Sequence, residues 1–333
     1  MNMLFCAVVS GSGAVMDRAR VIVCSPLTGY KTRVRQRAIL AALGAVLLGA
    51  IAFGQGVSLP NRSGSLKFAA MGDNGTGDQA QYEVAKQMTG AHQKFPFDLV
   101  IMLGDNMYGG QKPDDFVKKF EKPYADLLAA GVMFRASLGN HDQPTNVSYK
   151  FYNMEGRYYS YVRKNVRFVV LDSTQVDPKQ LQWLESTLRD AKEDWKICYF
   201  HHPLYSNAAR HGASVDLRVV LEPLFVKYGV NVVFSGHDHV YERVKPQKGI
   251  YYFVSGAAGQ LRKGNMRPDE ETAAYFDQDQ SFMIVEVAGA DMYFNAISRT
   301  GTTVDSGVIH LQPKPGAGGD GSGVQLQGVS HGG

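Results

Sequence analysis

The sequence predicts an α/β fold of two packed mixed β-sheets flanked by helices, an αββα sandwich. Three observations predict it. Apolar strand-like runs alternate with helix-like stretches from Leu66 to Phe234, the pattern that layered α/β folds produce. From Tyr251 onward the pattern changes to strands and hairpins. The strands are also too many for one open twisted sheet, and two sheets packed face to face accommodate them better.

The first strand covers 66–71 and is followed by a helix over 79–92; a strand over 98–103 is followed by a helix over 113–128, and a strand over 132–138 comes next. Residues 158–163 and 167–171 read as a hairpin. Leu181, Leu184 and Leu188 then recur at helical spacing. Asp177-Pro178-Lys179-Gln180 gives that helix its start, with Asp177 as cap, Pro178 at the first helical position and Gln180 placed for a capping box. A strand over 197–200, a helix over 217–228 and a strand over 230–234 continue the alternation. Strands over 282–287, 292–297 and 304–311 complete the chain's ordered part.

A chain of 333 residues with 44% hydrophobic and 20% charged residues can bury a large core, which excludes a disordered tail or a small disulfide scaffold. The net charge of +4 invites a nucleic-acid reading, so its location matters. Residues 1–52 hold six basic side chains against the single acid Asp17, leaving 29 of the 35 basic and 30 of the 31 acidic residues elsewhere. The body is near neutral, and no basic stripe for nucleic acid exists. No G-x-x-x-x-G-K-[ST] or G-x-G-x-x-G follows a strand, so nucleotide-binding loops are excluded as well.

Arg33, Arg35 and Arg37 run into the uncharged stretch 38–53, which contains Ala50-Ile51-Ala52, a small-x-small cleavage signal. The stretch is only slightly short of a bilayer span of ~20 residues. Residues 1–52 are therefore expected to be a leader with a signal peptide or membrane anchor, 53–64 a linker, 65–312 the folded domain and 313–333 a Gly-rich flexible tail. The expected location is periplasmic or extracellular, with membrane contact only through an uncleaved N-terminal segment. Cys6 and Cys24 fall in the leader, and Cys198, alone inside an apolar strand, reads as a small core residue.

In such folds, ligands bind beyond the carboxyl ends of strands. Strand by strand, those ends read Gly72-Asp73-Asn74-Gly75, Gly104-Asp105-Asn106-Met107-Tyr108, Gly139-Asn140-His141-Asp142, His201-His202-Pro203 and Gly236-His237-Asp238-His239. Carboxylate, phenol, amide and imidazole suit Fe, Zn and Mn, and no thiolate is among them. A lone Gly-Asp at a strand end is more often a turn with an Asx hydrogen bond. Five such ends in this order are improbable as five independent turns.

The set resembles the calcineurin-like metallophosphoesterase superfamily and, through Tyr108, the small, mammalian-type branch of the purple acid phosphatases. The motifs that carry the resemblance are Asp73 to Gly75, Gly104 to Tyr108, Gly139 to Asp142, His201 and Gly236 to His239. The resemblance implies Fe(III) held by Asp73, Tyr108, His239 and a bridging Asp105, and a divalent Fe, Zn or Mn held by Asp105, Asn140, His201 and His237. Together with the expected leader, it further implies an exported acid phosphatase that hydrolyses the monoesters of small phosphorylated substrates by in-line attack of a metal-bound hydroxide, the metals rather than Lys or Arg neutralising the phosphate. His141 would contact the phosphate and protonate the leaving oxygen. His211, at a spacing shifted by one residue, would be a second substrate histidine. His202, Asp142 and Asp238 are expected to support the ligands rather than bind metal. A phosphodiesterase or nucleotidase of the same superfamily, and a non-catalytic binding protein that keeps the fold, are the alternatives.

Overall fold

The computed structural model describes residues 58–311. The expected leader, the start of the linker and the Gly-rich tail lie outside them. Among the described residues, no helix is long and apolar enough to cross a membrane.

Among the described residues, thirteen strands form two sheets. The first contains β1 (Leu66–Met71), β2 (Leu99–Met102), β3 (Met133–Ala136), β11 (Ser281–Ala288), β12 (Asp291–Ser298) and β13 (Thr303–His310), in the order β13-β12-β11-β1-β2-β3. The second contains β4 (Tyr159–Arg163), β5 (Val166–Val170), β6 (Trp195–Tyr199), β7 (Val232–Ser235), β8 (Tyr241–Gln247), β9 (Ile250–Ser255) and β10 (Thr272–Phe276), in the order β10-β8-β9-β7-β6-β5-β4. Strands β1, β2 and β3 run parallel, as do β5, β6, β7 and β9, while the flanking pairs are antiparallel. Both sheets are therefore mixed, as expected.

Side-chain alternation explains the layers. In β1, Phe68 and Ala70 enter the core between the sheets, and Ala69 and Met71 enter the core beneath the helices. Phe68 meets Phe168 edge-on at 5.5 Å and Phe234 at 6.0 Å, joining the two sheets through aromatic contacts. On the outside of the first sheet lie α1 (Gln79–Lys94), α2 (Pro113–Phe116) and α3 (Ala125–Ala129); on the outside of the second lie α4 (Pro178–Asp190) and α5 (Val215–Lys227). Cys198 is fully buried in the core beneath α4 and α5. Burial alone pushes its thiol well above the usual range.

Four local expectations are corrected. The helix expected over 113–128 is broken into α2, a π-turn (Val117–Glu121) and α3. Pro123 supplies the reason, since it lacks an N–H and cannot continue the ladder; ahead of it Lys122 N donates five residues back, to Val117 O at 2.9 Å. At α4, Asp177 caps as expected, accepting from Gln180 N at 2.7 Å. Gln180 makes no capping box; its amide accepts from Asp172 N at 2.8 Å and donates to Asp172 O at 3.0 Å, pinning the loop after β5. Strands β8 and β10 were not foreseen, because Glu242, Arg243, Lys245 and Pro246 interrupt the first and the second is a half-exposed edge. Lys248 and Gly249, both at positive φ, form the two-residue turn between β8 and β9.

Candidate metal centre

The loops after β1, β2, β3, β6 and β7 converge, and hydrogen bonds cross from one sheet to the other. His201 Nδ1 donates to Leu103 O at 2.9 Å. His237 N donates to Asp73 Oδ2 at 2.8 Å. The backbone is strained where the functional side chains leave it: Asp73, Asp105 and His237 have φ of 57°, 49° and 70°, a region non-glycine residues rarely enter. Gly139 shows how closely the loops approach, since a Cβ there would stand 2.2 Å from Asp105 N and Oδ1.

Two groups of donor atoms result. In the first, Tyr108 Oη donates to Asp73 Oδ1 at 2.8 Å and lies 3.2 Å from His239 Nε2, which is itself 3.4 Å from Asp73 Oδ1. In the second, His201 Nε2 lies 3.1 Å from Asn140 Oδ1, 3.1 Å from His237 Nδ1 and 3.4 Å from Asp105 Oδ1. Because His201 Nδ1–H is spent on Leu103 O, Nε2 is the nitrogen that faces this group, and a cation there would take the place of its proton. Ligand atoms at ~2.1 Å from one first-row cation sit roughly 3.0 to 3.4 Å apart, so both spacings fit a metal. Asp73, Asp105 and His201 also offer atoms within 4.8 Å of one another, which puts Asp105 between the groups.

Electrostatics point the same way. Asp73 and Asp105 are 0% and 1% exposed, and buried carboxylates need compensation by cations or hydrogen bonds. Burial opposes ionisation of Asp105, but the His201 imidazole and the His141 N–H beside it hold the carboxyl well below its usual range. His201 is driven the other way: burial disfavours its charge, yet Asp73 and Asp105 raise it to about 9. Burial and the neighbouring His201 push His202 down to about 4 and His237 further still. Burial, Asp73 and Asp105 raise the Tyr108 phenol far above its usual range. Only a cation at the first group would make the phenolate accessible.

All seven residues expected as ligands lie in these two groups. His141 is half exposed; its N–H donates to Asp105 Oδ1 at 2.8 Å and its ring packs on Tyr108 at 4.7 Å. His211 is exposed and packs on His237 at 4.3 Å. His202 faces His237 at 4.4 Å and is fixed by Ser173, whose hydroxyl lies 2.9 Å from Nδ1. Asp142 accepts from Gly139 N, Asn106 N, Asn106 Nδ2 and Met107 N at 2.8 to 3.1 Å, clamping two of the loops together. Asp238 accepts from Ser206 Oγ at 2.7 Å and Gly212 N at 3.2 Å, which fixes the loop bearing His211.

Three supporting residues escaped the sequence reading. Asn106 lies inside a recognised motif and could have been found there. Lys119, in the π-turn, is buried and donates from Nζ to Tyr108 O and Gly110 O, both at 2.7 Å, holding the segment that carries the phenol. Ser173 reaches the centre only through the loop that Gln180 pins. Neither of the last two sits in a pattern that sequence alone separates from an ordinary surface residue.

A double-sheet sandwich with carboxylates, imidazoles and a phenol gathered at its strand ends defines a metal-dependent phosphoesterase. The chain belongs to the calcineurin-like phosphoesterase family, whose profile matches residues 66–241, and within it to the purple acid phosphatase group. It is 31% identical over 237 residues to tartrate-resistant acid phosphatase type 5 of Oryctolagus cuniculus, covering 58% of this chain and 73% of that one. With the protein of the same name from Rattus norvegicus it shares 26% identity over 302 residues, or 75% and 92% of the two chains. Its structure is similar to that of purple acid phosphatase PPD1 from yellow lupin, with a TM-score of 0.63 at 20% identity over 76% of this chain and 55% of that one. At that identity the likeness concerns the fold.

Proposed function

We propose that this chain is an exported acid phosphatase that hydrolyses phosphate monoesters at a binuclear centre of Fe(III) and a divalent metal. The observation that carries the reading is the contact of one phenol with both a buried carboxylate and an imidazole, Tyr108 with Asp73 and His239. A phenolate suits a hard trivalent ion, and the neighbouring imidazoles and the Asn140 amide suit a divalent one. Asp73, Tyr108 and His239 would hold the first ion, Asn140, His201 and His237 the second, and Asp105 both. Two such cations supply charge neutralisation for phosphate and a nucleophile from water near neutral pH.

The remaining chemistry falls to side chains. His141 and His211, both exposed beside the donor groups, receive the phosphate oxygens, and His141 gives its proton to the leaving oxygen. Asp142 and Asp238 keep the loops of these histidines in place through main-chain hydrogen bonds. The linker and folded domain, 53–64 and 65–312, follow the leader that directs export, and a Gly-rich flexible segment, 313–333, follows the domain. Metal analysis and a visible spectrum of the purified protein, with hydrolysis of 4-nitrophenyl phosphate, test the reading. Iron with a second metal and turnover support it; two Mn or two Zn ions and no colour refute the iron assignment.

A further inference from the structure

Helix α5 turns valines toward water. Val215, Val219, Val220 and Val226 are 40 to 67% exposed, and they make up four of the seven large hydrophobic side chains exposed among the described residues. Helical spacing sets Val215, Val219, the exposed Pro223 and Val226 on one face, a ridge with no charge in it. The opposite face is spent on the core, where Leu221 and Phe225 are buried. Helix α4, joined to α5 by Lys227 and Glu185 at 2.9 Å, exposes Lys179, Gln182, Arg189 and Asp190 instead. The ridge is therefore a property of α5 and not of this side of the domain.

The chain supplies a segment that fits it. Leu311, the last described residue, lines a cavity of about 500 Å³ together with Val226 and Tyr228, so the chain leaves the domain beside one end of the ridge. Residues 312–323 are mostly Gly and Pro, and the next six hold Val324, Leu326 and Val329, the only Val and Leu side chains beyond Leu311. A Gly-rich stretch of twelve residues reaches about 20 Å, from 5–6 Å × √n. At 1.5 Å per residue the ridge from Val226 to Val215 is about 16 Å long. Reach and length match.

Size favours this occupant over a second copy. One helix wide, about 10 Å, the ridge presents on the order of 160 Å², far below the roughly 800 Å² per partner of a stable dimer. A tethered segment needs no such area, because its effective concentration is about millimolar.

We propose that residues 324–329 of this chain dock on the valine ridge of α5, with Val324, Leu326 and Val329 covering it and 312–323 serving as the flexible tether. The inference is independent of the phosphatase reading and stands whether or not the centre is catalytic.

The test uses the full chain with Cys6→Ser and Cys24→Ser, the remaining Cys198 being buried. Val219→Cys is combined with Leu326→Cys, and as a control Gln182→Cys on α4 is combined with the same tail substitution. Oxidation with copper–phenanthroline before extraction, followed by tryptic mass spectrometry, should join positions 219 and 326 of one chain at least about fivefold more than 182 and 326. Val324→Asp with Val329→Asp should bring the first yield down to that of the control. In a chain with native cysteines, Val324→Asp, Leu326→Asp and Val329→Asp together should raise the fluorescence of anilinonaphthalene sulfonate, and adding Val219→Lys should remove the gain. Equal yields for the two pairs, dye binding unchanged by the tail substitutions, or a gain that survives Val219→Lys would overturn the proposal. A disulfide between two copies in Val219→Cys alone, at a higher yield than the pair with Leu326→Cys gives within one chain, would overturn it by assigning the ridge to a second copy.

Discussion

Tyr108 and Asp73, 35 positions apart, share a 2.8 Å hydrogen bond in which the phenol is the donor. The bond joins the loops after β1 and β2, which Tyr108 N also joins by donating to Gly75 O at 3.0 Å. Without a cation the phenol stays protonated, because burial and two carboxylates oppose its ionisation. Iron(III) would reverse that balance. The loaded, oxidised protein is therefore expected to show a visible tyrosinate-to-iron band, which Tyr108→Phe abolishes. Absorption spectra of the two proteins at equal iron content check this, and a band that survives the substitution assigns the colour elsewhere.

Asp105 stands between the two donor groups, whereas the His237 imidazole meets the second, 3.1 Å from His201 Nε2. Asp105→Asn is expected to lower the content of both metals together, and His237→Ala mainly that of the divalent ion. Metal analysis after dialysis against a fixed chelator concentration separates the outcomes. Loss of one metal alone in Asp105→Asn would show that this carboxylate is not shared.

Gly139 offers a test of loop approach with no change of chemistry. A methyl at this position would collide with Asp105 N and Oδ1 at 2.2 Å, and backbone cannot yield as a flexible side chain can. Gly139→Ala should cost about 1 to 3 kcal/mol in stability, the usual range for overpacking, and should lower metal content as Asp105→Asn does. Urea unfolding and metal analysis measure the two effects. A fully loaded variant of wild-type stability would mean that the loops part easily.

Legibility followed the physics of each signal. The strands around Phe68, Ile197 and Phe234 are continuous apolar runs because both of their faces are buried, and such runs stand out from any background. Strand β8 did not stand out, since only part of it faces the core and Arg243 spends its charge on Asp305 at 2.7 Å, a partner 62 residues away. The donor residues were legible because they gather where strands end, in Gly-led motifs for all but His201, which follows an apolar strand directly. Lys119 acts through main-chain carbonyls, a relation that leaves no spacing in the sequence.

Glu222 is buried in α5 and accepts from Tyr205 Oη at 2.7 Å, Lys248 Nζ at 2.6 Å and Tyr252 Oη at 3.2 Å. Burial alone would raise its pKa, but these donors hold it below the usual carboxylate range. A lowered folded pKa means that its stabilisation is complete above the ordinary glutamate range and is lost as pH falls through the folded value. Glu222→Gln should therefore destabilise the protein by about 1 to 3 kcal/mol at pH 7, and the gap to wild type should narrow in acid. Thermal melts at pH 7 and at pH below that of ordinary glutamate titration measure it. A gap that widens in acid would have the sign wrong.

The last prediction concerns the proton given to the leaving oxygen. His141 and His211 are both exposed histidines beside the donor groups, but they stand differently: His141 packs on Tyr108 with its main chain fixed to Asp105, and His211 has its Nε2 facing Arg262. An imidazole whose nitrogen accepts from a guanidinium is a poor proton donor at that nitrogen, so the acid role falls to His141. His141→Ala should then cost more with an alkyl phosphate, whose leaving group needs a proton, than with 4-nitrophenyl phosphate, whose leaving group scarcely does. The contrast should approach the ~10²- to 10⁴-fold range of general-acid catalysis. Metal content should stay at the wild-type level, because His141 is not among the residues assigned as ligands. Running the same substrate pair with His211→Ala decides between the two: equal losses in His141→Ala with the contrast appearing in His211→Ala would transfer the acid role to His211 and leave His141 as a phosphate binder.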